Sequence, residues 1–257
     1  MKIVIPMAGH SERFQREGFT TPKPFMLIDD RPMIHWVCSM FSEHDDFVFV
    51  VQEGHAQNKG FAKILQTAAP RYHIVTIKPH RLGPLHTTLA ADGVIDNTEP
   101  VIIAYSDFYQ HWKYHQFLMC VADYDGGISV LKGFHPVSFG KTCFGHLRCN
   151  TKGEMLEIKE KGSFTDRRHE EPASSGVYYI KSWSLYKRLV SEMIASRNTI
   201  GGEYYISQIF NTMVSDGLRV VSFEVDRFIC WGTPEDVAMY RFWSEYFKTD
   251  TQAILST

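Results

Sequence analysis

Short apolar runs alternate with amphipathic stretches along the first half of the chain, a pattern that predicts an α/β fold. The apolar runs predict strands at residues 3–6, 47–51, 73–77, 101–104 and 127–131. The amphipathic stretches predict helices at residues 33–41, 57–68, 85–91 and 115–122. Because strands and helices alternate, we expect a mostly parallel sheet with helices on both of its faces.

The pattern changes after Cys143, where strand patterns at residues 144–149 and 155–159 flank the turn-forming sequence Asn150-Thr151-Lys152-Gly153. This arrangement predicts a hairpin, and therefore a small antiparallel insertion in the sheet. Further strands are predicted at residues 175–180 and 219–224, and helices at residues 184–195, at residues 204–214 and from Pro234 onward. No linker or repeat interrupts these elements, so residues 1–257 are predicted to form a single domain.

The composition limits the kind of ligand that the protein is expected to bind. With 44% hydrophobic residues, the chain can build a full core without disulfides or structural metals. A net charge of −2 gives no broad positive field, so we expect a small substrate and no nucleic-acid partner. The five cysteines include no Cys-x-x-Cys pair, which favours reduced thiols and a cytoplasmic location. No segment approaches the ~20 apolar residues of a membrane span, so we expect no membrane partner. The sequence leaves open whether the protein forms a homo-oligomer.

The strongest chemical signal lies near the amino terminus, where the apolar run Ile3–Met7 leads directly into Ala8-Gly9-His10-Ser11. Gly9 allows a tight turn whose backbone N–H groups can approach an anion. Arg13 and Lys23 add two cations, ten residues apart, to the same segment. These are the parts that an enzyme needs to hold a nucleoside triphosphate.

The order Ala-Gly-x-x-x-Arg-Phe, then Pro-Lys, then Pro-Met-Ile at residues 32–34 resembles the opening of the sugar-1-phosphate nucleotidyltransferases, also called nucleotide-sugar pyrophosphorylases. The resemblance implies a Rossmann-like α/β fold of the GT-A type, with a nucleotide-binding part at about residues 1–140 and an acceptor-binding part at about residues 141–257. It also implies transfer of a nucleoside monophosphate from CTP, UTP or dTTP to a sugar 1-phosphate or a related phosphorylated acceptor, in the synthesis of surface polysaccharide precursors. Related cytidylyltransferases that act on non-sugar phosphates share the amino-terminal half.

The resemblance also implies roles for individual residues. Arg13 is expected to balance charge on the β- and γ-phosphates, and Lys23 to hold the α-phosphate. The other residues to which it assigns a role are Ala8, Gly9, His10, Ser11, Arg81 and Gly83 for nucleotide binding, and Gly145, Glu160, Lys161 and Gly176 for acceptor binding.

A magnesium ion is expected at Asp107, which directly follows the apolar strand at residues 101–104 and should project at the carboxyl edge of the sheet. Pro84 follows Gly83 where the family usually has a small residue, and two other departures from the family pattern matter more. Ser11 stands where a second glycine is common, and Cys230 stands where a second metal-binding aspartate is usual. A thiol is a poor ligand for Mg²⁺, so Asp226 or Glu224 is an alternative second ligand.

Two other functions are compatible with parts of the sequence. A glycosyltransferase of similar sheet topology would carry an Asp-x-Asp motif after the fourth strand, and the sequence Ser106-Asp107-Phe108-Tyr109 lacks that motif. A regulatory module could retain the nucleotide loop and lack catalysis, with Cys230 marking the loss. Nucleotidyl transfer is the preferred hypothesis because it uses Arg13, Lys23 and Asp107 together.

Overall fold

The computed structural model describes residues 1–136 and 144–255, with side chains up to residue 248 in the last helix. The expected division near residue 140, and Cys143, lie outside the described residues. In chain order the strands are β1 (Lys2–Pro6), β2 (Leu27–Ile28), β3 (Arg31–Pro32), β4 (Asp46–Gln52), β5 (Tyr72–Ile77), β6 (Val101–Ala104), β7 (Phe108–His111), β8 (Gly126–Leu131), β9 (His146–Cys149), β10 (Met155–Lys159), β11 (Ala173–Ile180), β12 (Val220–Glu224) and β13 (Arg227–Cys230). The α-helices are α1 (Glu12–Arg16), α2 (Met33–Cys38), α3 (Glu53–Gln57), α4 (Lys59–Ala68), α5 (Pro84–Thr88), α6 (Tyr114–Val121), α7 (Trp183–Ser196), α8 (Ile209–Ser215) and α9 (Pro234–Leu255).

The central sheet joins nine of these strands. Seven of them lie in the order β10-β9-β11-β6-β1-β4-β5, and β8 and β12 extend the sheet from β11. Strands β1, β4, β5 and β6 are parallel, as are β8 and β12, whereas β11 runs antiparallel to both β6 and β8. The predicted α/β class with a mostly parallel sheet is therefore confirmed. The predicted antiparallel hairpin is also confirmed, as β9 and β10.

Both faces of the sheet are buried around its inner strands, which explains why β1, β4 and β6 have continuous apolar sequences. Successive residues of β1 point to opposite faces, so Ile3 and Ile5 belong to one core and Val4 belongs to the other. Helices α2, α4 and α6 contribute buried side chains to the first core, and α5, α7 and α8 contribute to the second. The predicted covering of both faces by helices is confirmed.

Several local elements differ from the sequence-based expectation. The helix predicted at residues 57–68 is split, because Asn58 is extended and its side chain accepts hydrogen bonds from Gly60 N and Phe61 N to cap α4. The two-stranded ribbons β2–β3 and β7–β13 were not predicted. Among the helices that the structure describes, none is both long enough and apolar enough to span a lipid bilayer.

Parallel strands β1, β4, β5 and β6 place their carboxyl ends at one edge of the sheet. The ribbon β7–β13 lies at the same edge, because β7 begins just after β6 and Trp231 N donates a hydrogen bond to Asp107 O at 2.8 Å. Segments far apart in the sequence therefore meet beyond the carboxyl ends of the strands, which is where open α/β sheets bind ligands.

Candidate active site

The loop after β1 is fixed by the neighbouring strand. Gln52, the last residue of β4, donates a side-chain hydrogen bond to Ala8 O at 2.8 Å. Gly9 is exposed, and a Cβ atom added there would meet nothing within 4 Å, so open space lies in front of this backbone. The loop is thus held in place and leaves its outer surface, with His10 beside it, accessible to a ligand.

Ser11 adopts φ +54° and ψ +33°, the left-handed conformation that favours glycine. This conformation gives a physical reason for the glycine that is common at this position in the resembling family. Its hydroxyl oxygen accepts a hydrogen bond from Lys23 N at 3.2 Å. The serine therefore keeps the required backbone shape and also ties the loop to the segment that carries Lys23.

Lys23 and Asp107 meet at the centre of the site. Lys23 Nζ lies 2.6 Å from Asp107 Oδ2, although the two residues are 84 positions apart in the sequence. Their side chains are 22% and 25% exposed, so water still reaches the pair and a ligand can do so as well. The ammonium is also 5.9 Å from the centroid of the Phe14 ring, which belongs to α1.

Arg13 lies on the exposed side of α1, at the mouth of the site. Burial and Glu203 raise the pKa of Tyr205, and the positive charge of Arg13 opposes that change. The backbone N–H of Glu235 and the side chain of Thr233 lower the pKa of Glu235, and Arg13 adds to this effect. Arg13 is therefore near both of these segments.

The turn at Gly83 is clamped against a neighbouring segment. Gly83 has φ +89°, and a Cβ atom there would lie 2.7 Å from Tyr204 O, so both conformation and space require glycine. Tyr204 N donates to Leu82 O at 3.0 Å, and Leu85 N donates to Tyr204 O at 3.2 Å. On the other side, Arg81 forms a 2.7 Å ion pair with Glu12 of α1. The turn is thus fixed between α1 and Tyr204.

Four histidines lie near the loop after β1, a grouping that the sequence did not reveal. The rings of His80 and His86 are 4.8 Å apart, and His10 affects both His55 and His80 electrostatically. Burial lowers the pKa of His55, His80 and His86, so these imidazoles are neutral at pH 7. In the described part of the chain, no three His, Cys, Asp or Glu side chains are arranged to hold a metal ion.

The acceptor residues expected after β10 pack against a second segment. Glu160 Oε2 accepts a hydrogen bond from Ser207 Oγ at 2.5 Å, and burial raises the pKa of Glu160. A Cβ atom at Gly145 would lie 2.9 Å from Glu160 Oε2, so the glycine leaves room for this carboxyl group. Lys161 has φ +51° and donates a hydrogen bond to the hydroxyl of Tyr205.

Gly176 interrupts β11 at an irregularity in its pairing with β8, with φ +97°. A Cβ atom there would lie 3.1 Å from the Phe108 ring and 3.2 Å from the Tyr105 ring. Since Tyr105 N also donates to Gly176 O at 3.1 Å, this glycine packs against the residues on both sides of Asp107. The structure thus brings Gly176 to the central part of the site.

The second metal ligand expected at Asp226 requires a correction. Asp226 lies at the far end of the β7–β13 ribbon, where its carboxylate is 3.3 Å from His111 Nδ1. Cys230, at the near end, is four residues away, about 13 Å along the strand. The structure does not bring Asp226 to Asp107, and Glu224 lies further back, at the end of β12.

A different carboxylate lies beside Cys230. Asp236 Oδ2 is 3.5 Å from Cys230 Sγ and accepts hydrogen bonds from Thr233 N and Thr233 Oγ1 at 2.9 and 2.8 Å. A Cβ atom at Gly232 would lie 3.4 Å from Cys230 Sγ, 3.5 Å from Asp107 Oδ2 and 3.7 Å from Asp236 Oδ2, so all three groups lie close to Gly232. Burial, with Asp236 and Asp107 adding to it, raises the pKa of the Cys230 thiol, which is therefore neutral at pH 7.

The two carboxylates do not form a metal site by themselves, and a magnesium ion here would need phosphate oxygens and water as further ligands. Mg²⁺ prefers oxygen ligands and is commonly held by one or two carboxylates together with phosphate oxygens and water. Asp107 and Asp236 provide two carboxylates at this point, and the neutral thiol of Cys230 adds no charge. Tyr205, Ser207 and Asp236 were all missed by the sequence reasoning. Tyr205 and Ser207 both fall within the helix predicted at residues 204–214, so the sequence carried no local signal of their contacts with Glu160 and Lys161.

The fold and this arrangement define an α/β domain of the NTP-binding transferase class. The chain belongs to the family of MobA-like NTP transferase domains, whose model matches residues 3–166. It is 23% identical over 225 residues to the bifunctional protein GlmU of Cupriavidus necator, a match that covers 86% of this chain and 46% of GlmU. The chain thus spans about half the length of this curated relative.

Solved structures share the fold. The nucleoside-diphosphate-sugar pyrophosphorylase from Vibrio cholerae RC9 superposes with a TM-score of 0.77 at 21% identity, covering 93% of this chain and 98% of that one. A UDP-glucose pyrophosphorylase in complex with UDP-glucose gives 0.74 at 18% identity, covering 96% and 98%. The inositol-1-phosphate CTP transferase from T. maritima gives 0.68 at 15% identity, covering 95% and 94%. These likenesses establish the fold over nearly the whole chain.

Proposed function

We propose that this protein transfers a nucleoside monophosphate from an NTP to a sugar 1-phosphate or a related phosphorylated acceptor and releases pyrophosphate. The observation that carries the proposal is the 2.6 Å contact between Lys23 Nζ and Asp107 Oδ2 beyond the carboxyl ends of β1 and β6. This contact joins the segment between β1 and β2 to the segment that follows β6. The family match supports the NTP as one substrate.

The proposed reaction is an in-line attack by an acceptor phosphate oxygen on the α-phosphorus, with pyrophosphate as the leaving group. Such reactions depend on positioning and on neutralising charge, because the enzyme forms no covalent intermediate. Lys23 holds a non-bridging oxygen of the α-phosphate as charge develops there, and Arg13 neutralises the departing pyrophosphate. Asp107, with Asp236 beside it, would hold Mg²⁺, which when bound neutralises phosphate charge.

The acceptor side is proposed to lie between Gly145, Glu160, Lys161 and Gly176. Lys161 is exposed and supplies a positive charge for the acceptor phosphate, whereas Glu160 is half-buried and can accept a hydrogen bond from an acceptor hydroxyl. A pyrimidine nucleotide, namely CTP, UTP or dTTP, is the proposed donor. The fold neighbours that act with UDP-glucose and with CTP support this choice. A role in surface polysaccharide precursor synthesis and a cytoplasmic location belong to the same proposal.

A pyrophosphate-release screen tests the proposal. Each NTP would be combined with a panel of sugar 1-phosphates, phosphocholine and inositol 1-phosphate in the presence of Mg²⁺. We expect release with at least one pair, abolished by Asp107→Asn and unaffected by Asp226→Asn. The two variants make the same chemical change at one carboxylate inside the site and one outside it. Nucleotide-induced thermal stabilisation without release from any pair would favour the regulatory module instead.

A further inference from the structure

The segment Glu203–Ser207 contacts Glu160 and Lys161, the two proposed acceptor-binding residues that follow β10. The backbone at Tyr205 is extended, with φ −101° and ψ 141°, and a 3₁₀ turn at Ile206–Gln208 follows it directly. Ser207 Oγ donates a hydrogen bond to the Glu160 carboxylate, and the Tyr205 hydroxyl accepts a hydrogen bond from Lys161 Nζ. One short segment thus contacts both members of the Glu160-Lys161 pair.

Tyr205 contacts Lys161 through its hydroxyl and the adjoining part of its ring. The phenol oxygen accepts a hydrogen bond from Lys161 Nζ, and the ammonium lies 4.3 Å from the centroid of the Tyr205 ring, within the range of a cation–π interaction. The phenol then donates its own proton to Glu203 Oε2. Burial, and then Glu203, raises the pKa of Tyr205, so it stays a neutral hydroxyl that can accept from one side and donate to the other.

Lys161 needs such support because it is exposed and lies on a turn. Its φ of +51° is unusual for a residue other than glycine, and such conformations concentrate at functional sites. A free lysine side chain samples many rotamers, at an entropic cost of about 2 kcal/mol when it is fixed. Contacts that fix it before the acceptor arrives remove part of that cost from binding.

Tyr205 also lies where the two sides of the site meet. The charge of Arg13 reaches the phenol electrostatically, and the adjacent Tyr204 clamps the turn at Gly83 through its backbone. Tyr205 thus belongs to a segment that contacts both the turn at Gly83 and the Glu160-Lys161 pair.

We infer that Tyr205 is a positioning residue, which holds the Lys161 ammonium over its ring and directs it at the phosphate of the acceptor. The inference rests on the proposed function. Tyr205 itself takes no part in bond making. It acts through Lys161, which remains seated on the ring while its protons turn to the acceptor phosphate.

Steady-state kinetics of Tyr205→Ala and Tyr205→Phe test this role, with the NTP and acceptor pair that releases most pyrophosphate in the screen. For Tyr205→Ala we expect the KM for the acceptor to rise about 10-fold and the KM for the NTP to change by less than about 2-fold. Tyr205→Phe keeps the ring and loses the hydroxyl, so its rise should be smaller, about 3-fold. Because Tyr205→Phe is a conservative change, it keeps the test informative if the alanine variant folds poorly.

A double-mutant cycle separates positioning from general structural support. If Tyr205 acts through Lys161, Tyr205→Ala should have little further effect in a Lys161→Ala background. Tyr240→Phe is the matched control, because it removes a tyrosine hydroxyl that donates to a carboxylate, Asp29, outside the site. It should leave both KM values unchanged.

The outcomes distinguish this inference from the proposed function. Pyrophosphate release by the wild-type protein supports the function whatever the variants do. An unchanged acceptor KM in Tyr205→Ala, or full additivity with Lys161→Ala, would overturn the positioning role alone. Absence of release from the wild-type protein with every pair would overturn both.

Discussion

Replacing Lys23 by alanine should separate the effect of this residue on activity from its effect on stability. The Lys23–Asp107 pair is about a quarter exposed on each side, so its loss should cost about 1 kcal/mol of unfolding free energy or less. For a chain of this size, that corresponds to a fall in Tm of about 2–4 °C at most. The backbone N–H of Lys23, which donates to Ser11, is retained in the variant.

The effect on turnover should be much larger. An ammonium that contacts the α-phosphate as charge develops acts like a preorganised oxyanion donor, and removing one such donor lowers kcat about 100- to 1,000-fold. Pyrophosphate release measured at saturating substrates, together with thermal unfolding of the same preparation, gives both quantities. The expected result is a large loss of kcat with a nearly unchanged Tm.

Lys187→Ala provides a matched control for this experiment. Lys187 forms a comparable ion pair with Asp92, at 2.9 Å and with 30% and 54% exposure, on a helix outside the site. Its loss should have a similar effect on Tm and none on kcat. The reasoning would be refuted by a Lys23→Ala enzyme with wild-type kcat, or by a fall in Tm large enough to account for the lost activity by unfolding.

Three further predictions concern stability, pH and metal binding. Gly83→Ala should destabilise the fold by at least about 1–2 kcal/mol, measured by chemical denaturation, because the left-handed conformation and the 2.7 Å approach to Tyr204 O both oppose a Cβ atom. The free energy of unfolding should fall as the pH drops below about 6.5, because burial lowers the folded-state pKa of six histidines and the unfolded chain then binds more protons. The fall should be no more than about 1.4 kcal/mol per pH unit for each histidine. A flat profile between pH 7.5 and 5.5 would contradict this prediction. These histidines are His35, His55, His80, His86, His135 and His146. Cys230→Asp should tighten the binding of Mn²⁺, because a carboxylate replaces a neutral thiol beside Asp107 and Asp236. Electron paramagnetic resonance of free Mn²⁺ measures this affinity, and an unchanged affinity would argue against a metal at this position.

The sequence predicted much of the central fold because strong local patterns coincide with the elements that the structure contains. The strand at residues 101–104 is wholly buried, so its apolar run is unambiguous, and Asp107 follows too closely to lie anywhere but at the carboxyl edge. The turn chemistry of Asn150 and Gly153 likewise identified the β9–β10 hairpin. Where pairing joins distant segments, as in the four-residue strands of β7–β13, the local pattern was too short to be informative.

The same distinction between local sequence patterns and contacts of distant segments applies to the candidate site. The sequence by itself identified the side chains that we propose to carry the chemistry, because Gly9, Arg13, Lys23 and Asp107 belong to short motifs next to strongly patterned strands. Only the tertiary structure decided which groups meet: it brought Asp236 to Asp107 in place of Asp226, and Tyr205 to Lys161. The physical reason is that periodicity reports the burial of each element separately, whereas the meeting of two side chains depends on the packing and register of segments that are far apart along the chain.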